Sequence, residues 1–120
     1  MNLIVQKFGG TSVADVDHIR NVARIITDTY AKGNAVIAVV SAQGDTTDEL
    51  IQKAAEITEK PSSREMDVLL STGEQISMSL LAMAIEELGY PVISLTGWQA
   101  GFLTESNHRI ACIKRFDYDK

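Results

Sequence analysis

The sequence predicts an α/β fold, a three-layer α/β/α sandwich around a mainly parallel sheet. Three observations carry that reading. Short apolar runs alternate with longer stretches in helical period. The run Ala35–Val40, AVIAVV, is apolar at every position, as in a strand covered on both faces. Each apolar run also ends in a turn of glycine and small polar residues. Right-handed crossovers would lay helices on both faces of the sheet. The turns would then gather on one edge, beyond the carboxyl ends of the strands, where ligands bind in such sheets.

Taken in order, Leu3–Phe8 reads as a short buried strand. The first helix is predicted over residues 13–32. Val16, Ile19, Val22, Ala23, Ile26 and Tyr30 fall on one face, Asp15 and Asp17 complement the dipole in the first turns, and Gly33 stops it. The strand Ala35–Val40 then ends in the turn Ser41-Ala42-Gln43-Gly44. Thr46 with Glu49 reads as a capping box. It opens a short helix that should bury Leu50, Ile51, Ala54 and Ile57 and end at Pro61. Ser62 with Glu65 repeats the box and opens a long helical stretch to Leu88, which Gly73 interrupts and Gly89 and Pro91 close. Residues 92–95 read as a third strand and residues 109–114 as a fourth, with a frayed polar tail over residues 115–120.

The length, 120 residues, suits one small domain. A net charge of −5 with no basic run argues against a nucleic-acid partner. The single cysteine, Cys112, excludes an internal disulfide and reads as a small buried strand residue in a reducing compartment. No run approaches the roughly 18 apolar residues that span a bilayer, and residues 2–8 are too short for a signal peptide. The expectation is a cytoplasmic protein with no membrane partner. His18 and His108 have no metal-ligand partners at suitable spacing, so no metal site is proposed in this chain. Met66, Met78 and Met83 read as packing, and Trp98 as structural.

The chain is organised around Val5-Gln6-Lys7-Phe8-Gly9-Gly10-Thr11-Ser12. A strand ending in Lys, then two glycines, then two hydroxyls at a helix start has the parts of a phosphate cradle. Glycines let the backbone approach an anion, and the helix N-terminus offers unpaired N–H groups. Read alone, Gly9-Gly10 is equally a tight strand-to-helix turn. Neither G-x-x-x-x-G-K-[ST] nor G-x-G-x-x-G occurs. Ser41 is either a phosphate or carboxylate ligand or a turn-former bonding its own backbone. Thr46 and Thr47 are either an anion dock at a helix N-terminus or caps. Glu74, beside Gly73 in an apolar run, is either a ligand for an ammonium group or part of a solvated helix face.

Four blocks in order resemble aspartate kinases of the amino-acid-kinase group. They are Lys7-Phe8-Gly9-Gly10-Thr11-Ser12-Val13-Ala14, then Val40-Ser41-Ala42-Gln43-Gly44-Asp45-Thr46-Thr47-Asp48-Glu49-Leu50, then Arg64-Glu65-Met66-Asp67-Val68-Leu69-Leu70-Ser71-Thr72-Gly73-Glu74, then Ser94-Leu95-Thr96-Gly97-Trp98-Gln99-Ala100-Gly101. The resemblance runs to about Gly101 and thins beyond it. It implies that the chain is the N-terminal portion of an amino-acid-kinase domain, with the rest of that domain and the ACT regulatory domains absent. It implies transfer of the γ-phosphoryl of ATP to the β-carboxylate of L-aspartate. Lys7, Phe8, Gly9, Gly10 and Ser41 would hold the ATP phosphates, with Lys7 also catalytic, and Thr47 and Glu74 would hold aspartate. Mg would accompany ATP, with ligands outside this chain, and a homo-oligomer is expected. Two alternatives stay open: a glutamate kinase, against which the blocks at residues 44–50 and 94–101 argue, and a non-catalytic fragment that associates with itself or a partner. On the first reading the chain alone should be inactive.

Overall fold

The computed structural model describes residues 1–96, together with the backbone of Phe102–Thr104 and Ile113–Phe116. The elements are β1 (Leu3–Phe8), a 3-10 turn (Gly10–Val13), α1 (Val16–Ala31), β2 (Ala35–Val40), α2 (Thr46–Ile57), α3 (Ser63–Glu87), β3 (Phe102–Thr104) and β4 (Ile113–Phe116).

β1 and β2 pair in parallel from Leu3↔Ala35 to Phe8↔Val40, with α1 as the crossover. Side chains alternate across a strand, and among the described residues one face of this pair is covered. Phe8, Val36, Ala38 and Val40 pack on a core of Val13, Ile19, Val22, Ala23 and Ile26 with Leu81 and Ile85 of α3. Gln6 shares that face and donates from Nε2 to Thr29 Oγ1 at 3.0 Å. On the opposite face Leu3, Val5, Ile37 and Val39 are exposed. The expected covering of Ala35–Val40 on both faces is therefore half met among the described residues. They build the sheet and one helical layer.

Local chemistry accounts for most element ends. Asp15 caps α1, accepting from the His18 N–H at 2.8 Å. Gly33, at φ +94°, takes the left-handed conformation that stops the helix. Ser62 caps α3 and accepts from the Glu65 N–H. The Glu65 carboxylate pairs with Arg64, so Ser62 supplies the working half of that box. Gly89, at φ +88°, follows the last turn, and Tyr90 meets Tyr30 edge-on with ring centroids 5.7 Å apart.

Several expectations are corrected. Thr46 is the first residue of α2, not its cap. Asp45 occupies the cap position, and no side chain caps this helix. α2 ends at Ile57, before Pro61, and buries nothing fully: Ile51 and Ile57 are exposed. α3 runs unbroken through Gly73. Residues 92–95 join no ladder among the described residues, and Val92, Ile93 and Leu95 are exposed. The later strands form an antiparallel pair, β3 with β4, so Arg115 and Phe116 belong to a strand and not to a frayed tail. Cys112, Trp98, His108 and residues 109–111 lie outside the described residues. α3 also contains an 18-residue window of mean hydropathy 1.4, long and apolar enough to cross a bilayer by composition. No such run was expected. In the fold its Leu81 and Ile85 enter the core beside α1, while 22% of that window is buried.

Candidate active site

Parallel pairing sends β1 and β2 out of the sheet at the same edge, so the turns after Phe8 and after Val40 emerge side by side. Backbone bonds join them. The Ser41 N–H donates to the Phe8 carbonyl at 3.3 Å, and the Gly44 N–H donates to the Gly10 carbonyl at 3.0 Å. Close approach makes Gly10 obligatory: a Cβ there would lie 2.7 Å from the Ala42 carbonyl oxygen. α3 reaches the same place. A Cβ on Gly73 would lie 2.9 Å from the Ala42 Cβ and 3.3 Å from Thr46 Cγ2. Three of the four sequence blocks therefore meet at one point, although they lie far apart along the chain.

The candidate residues sit around that junction. Lys7 is exposed on the open sheet face at the end of β1. Gly9 is extended, with φ −77° and ψ 175°, a conformation open to any residue. A Cβ there would meet nothing within 4 Å. Its backbone thus borders open space, which is what an approaching anion needs. Phe8 differs: its ring packs on the core, which leaves its backbone to the site. Ser41 is partly buried, and among the described residues its hydroxyl has no hydrogen-bond partner. Thr47 is partly buried in the first turn of α2. That turn lacks a side-chain cap but holds Asp48 and Glu49, which already answer the helix dipole. Glu74 is exposed one residue beyond Gly73.

Among the candidate residues the edge offers Lys7 as a mobile cation, the accessible Gly9 backbone, the Ser41 and Thr47 hydroxyls and the Glu74 carboxylate. A phosphate can be met by Lys7, the Gly9 backbone and Ser41, and an ammonium by Glu74. Among the described residues no three His, Cys, Asp or Glu side chains converge to hold a metal ion. A hollow of about 350 Å³ lies elsewhere: Ile19, Ala23, Leu80, Met83 and Ala84 line it between α1 and α3, and no candidate residue touches it. Among the described residues the one clear ionisation shift is also outside the junction. The backbone N–H and ring of His18 both donate to Asp15, which holds its carboxyl below the ordinary carboxylate value.

Sequence reasoning missed Ala42 and misread Gly73. Ala42 is a featureless residue between Ser41 and Gln43, and its contact with two distant glycines leaves no local pattern. Gly73 did leave a signal. The apolar periodicity continues on both sides of it, which marks a glycine kept for close approach and not for a break.

The model of the amino acid kinase family matches residues 2–119. The chain belongs to the amino acid kinase family. Among the members it resembles, it is 56% identical over 117 residues to an aspartokinase of Geobacillus stearothermophilus, which covers 98% of this chain and 29% of the relative. It is 54% identical over 117 residues to aspartokinase 2 of Bacillus subtilis, with the same shares. An aspartate kinase crystal structure from Synechocystis superposes with a TM-score of 0.80 at 51% identity, covering 84% of this chain and 17% of that one. The fold is thus the α/β fold of this family. The chain spans less than a third of the length of these relatives.

Proposed function

We propose that this member of the amino acid kinase family is the N-terminal portion of the kinase domain of an aspartate kinase. The complete enzyme transfers the γ-phosphoryl of ATP to the β-carboxylate of L-aspartate, at the head of lysine, threonine and methionine synthesis. The observation that carries the reading is the junction of the Gly9-Gly10 turn, the Ser41–Gly44 turn and α3 at Gly73, which brings the motif-bearing segments to one sheet edge. Its similarity to aspartokinases supports aspartate over other acceptors. A glutamate kinase and a purely associative fragment remain as outcomes of the test.

In this reading the residues divide the work. Phosphoryl transfer depends on positioning and on electrostatic stabilisation of the charge spread over the moving group. Lys7 carries the positive charge that meets the phosphoryl. The backbones of Phe8, Gly9 and Gly10, with the Ser41 hydroxyl, hold the phosphates where no side chain intrudes at Gly9. Thr47 binds an aspartate carboxylate at the start of α2, and Glu74 receives its ammonium. Magnesium bound with ATP supplies further charge neutralisation; its ligands, the adenine site and the ACT domains belong to residues outside this chain. The enzyme works in the cytoplasm, with no nucleic-acid or membrane partner, and as a homo-oligomer.

Calorimetric titration of the purified chain with L-aspartate, L-glutamate and ATP tests the reading. Binding of aspartate and ATP, with glutamate weaker, is the expected result. Preference for glutamate would assign the other kinase, and silence toward all three would leave an associative fragment.

A further inference from the structure

We infer that Ala42 is a positioning residue, clasped between Gly10 and Gly73, and that this clasp sets the relative placement of the candidate ligands. The inference rests on the proposed function for what the ligands bind, but its geometry stands alone. Ala42 is 8% exposed. Its carbonyl oxygen faces the Gly10 Cα, where a Cβ would come within 2.7 Å, and its methyl faces the Gly73 Cα, where a Cβ would come within 2.9 Å. Real Cβ atoms essentially never approach so closely, so both glycines are fixed by the same alanine.

Neither glycine is kept for its dihedral freedom. The positive-φ glycines among the described residues are Gly33, Gly44 and Gly89. Gly73 sits in the interior of an unbroken helix, where alanine would favour the helix. A glycine there answers contact. The surroundings leave little room to give. Ser77 is fully buried below Gly73 and donates to its carbonyl at 3.4 Å, while Thr46 Cγ2 closes the other side at 3.3 Å from the would-be Cβ. The Gly44 N–H bond to the Gly10 carbonyl ties the far end of the turn to the same glycine.

Each clasp member adjoins a candidate ligand in sequence. Gly10 follows Gly9, Ala42 follows Ser41, and Gly73 precedes Glu74. A displacement at any clasp member is therefore passed through one peptide unit to a group that would touch substrate. The wedge couples the aspartate side at Glu74 to the phosphate side at Gly9, although no bond joins those two residues directly.

The test exchanges the methyl across the contact. In Gly73→Ala the new methyl meets the Ala42 methyl. In the double variant Ala42→Gly with Gly73→Ala, the obstructing methyl is gone. Amide resonances of the chain and its melting temperature are recorded for both, with ATP and L-aspartate titrations alongside. Gly73→Ala is expected to shift the amides of Gly9, Gly10 and Gly44 as well as its helical neighbours. Its affinity for both ligands should fall about tenfold, as the net loss of one hydrogen bond would give. The double variant is expected to return those distant resonances and the affinities toward the parent. Gly10→Ala, which meets backbone, should gain nothing from Ala42→Gly. A Gly73→Ala perturbation confined to α3 and the start of α2, or a double variant no better than Gly73→Ala in folding, resonances or affinity, would overturn the clasp. If the parent chain binds neither ligand, the proposed function fails while the resonance pattern still decides the clasp.

Discussion

Lys7 is the residue on which most of the proposed chemistry depends. It is the last residue of β1 on the open face, exposed and two residues before Gly9, where a Cβ would meet nothing within 4 Å. A preorganised charge of this kind is worth on the order of 10²–10³ in rate. Lys7→Ala in a full-length enzyme carrying this segment should lose that much in kcat with the fold intact; near-native turnover would show that Lys7 does not meet the phosphoryl. Asp15 offers a separate test, of the fold. Its carboxyl, held below its ordinary value by the two His18 bonds, stabilises α1 in its ionised form. A depressed folded value means that this stabilisation is complete above the unfolded value and is lost as pH falls through the folded one. Asp15→Ala should therefore lower the melting temperature at neutral pH and make progressively less difference in acid. An unchanged gap at both ends of the titration would show that the carboxylate is not the cap.

At the scale of elements, the packing of α1 on α3 holds the domain together. Leu81 is 4% exposed in the core that both helices share with the sheet. Truncating a buried leucine costs about 2–5 kcal/mol, depending on how far the cavity relaxes. Leu81→Ala should lower the denaturation midpoint accordingly, whereas Ile57→Ala at the exposed end of α2 should leave it nearly unmoved. Equal effects would mean that α2 is buried as deeply as α3. Elements with strong local chemistry were legible in the sequence: β1 and β2 from apolar runs, α1 from its stripe and Gly33, and the start of α3 from Ser62. The misreadings share a physical cause, because each depended on a partner that local pattern cannot show. Thr46 looked like a cap, but Asp45 holds that position and Thr46 turns its methyl toward Gly73 of α3. Residues 92–95 looked like a strand, but a strand needs a neighbour to pair with, and among the described residues none pairs with them. The candidate residues were legible as a motif, while Ala42, which joins them, was not.

For the molecule as a whole, the open sheet face is the feature to account for. Leu3, Val5, Ile37 and Val39 lie on it, all large and all exposed. Among the described residues nothing further pairs with the edges of β1 and β2, and an exposed apolar face beside open edges favours association. The isolated chain should therefore self-associate as concentration rises, and Val5→Lys with Ile37→Lys should shift it toward monomer by light scattering. A clean monomer of the parent chain at high concentration would contradict this. The central claim is that the chain holds the phosphate turn and much of the aspartate site but needs further residues to orient ATP in line with its acceptor. Coupled ADP release with saturating L-aspartate measures this directly, on the chain alone, on the remaining C-terminal portion of the enzyme alone, and on the two mixed. The account predicts no aspartate-dependent turnover from either part and its appearance on mixing. Turnover by the 120-residue chain alone at the roughly 1–100 s⁻¹ of ordinary kinases, or none from the folded mixture, would contradict it.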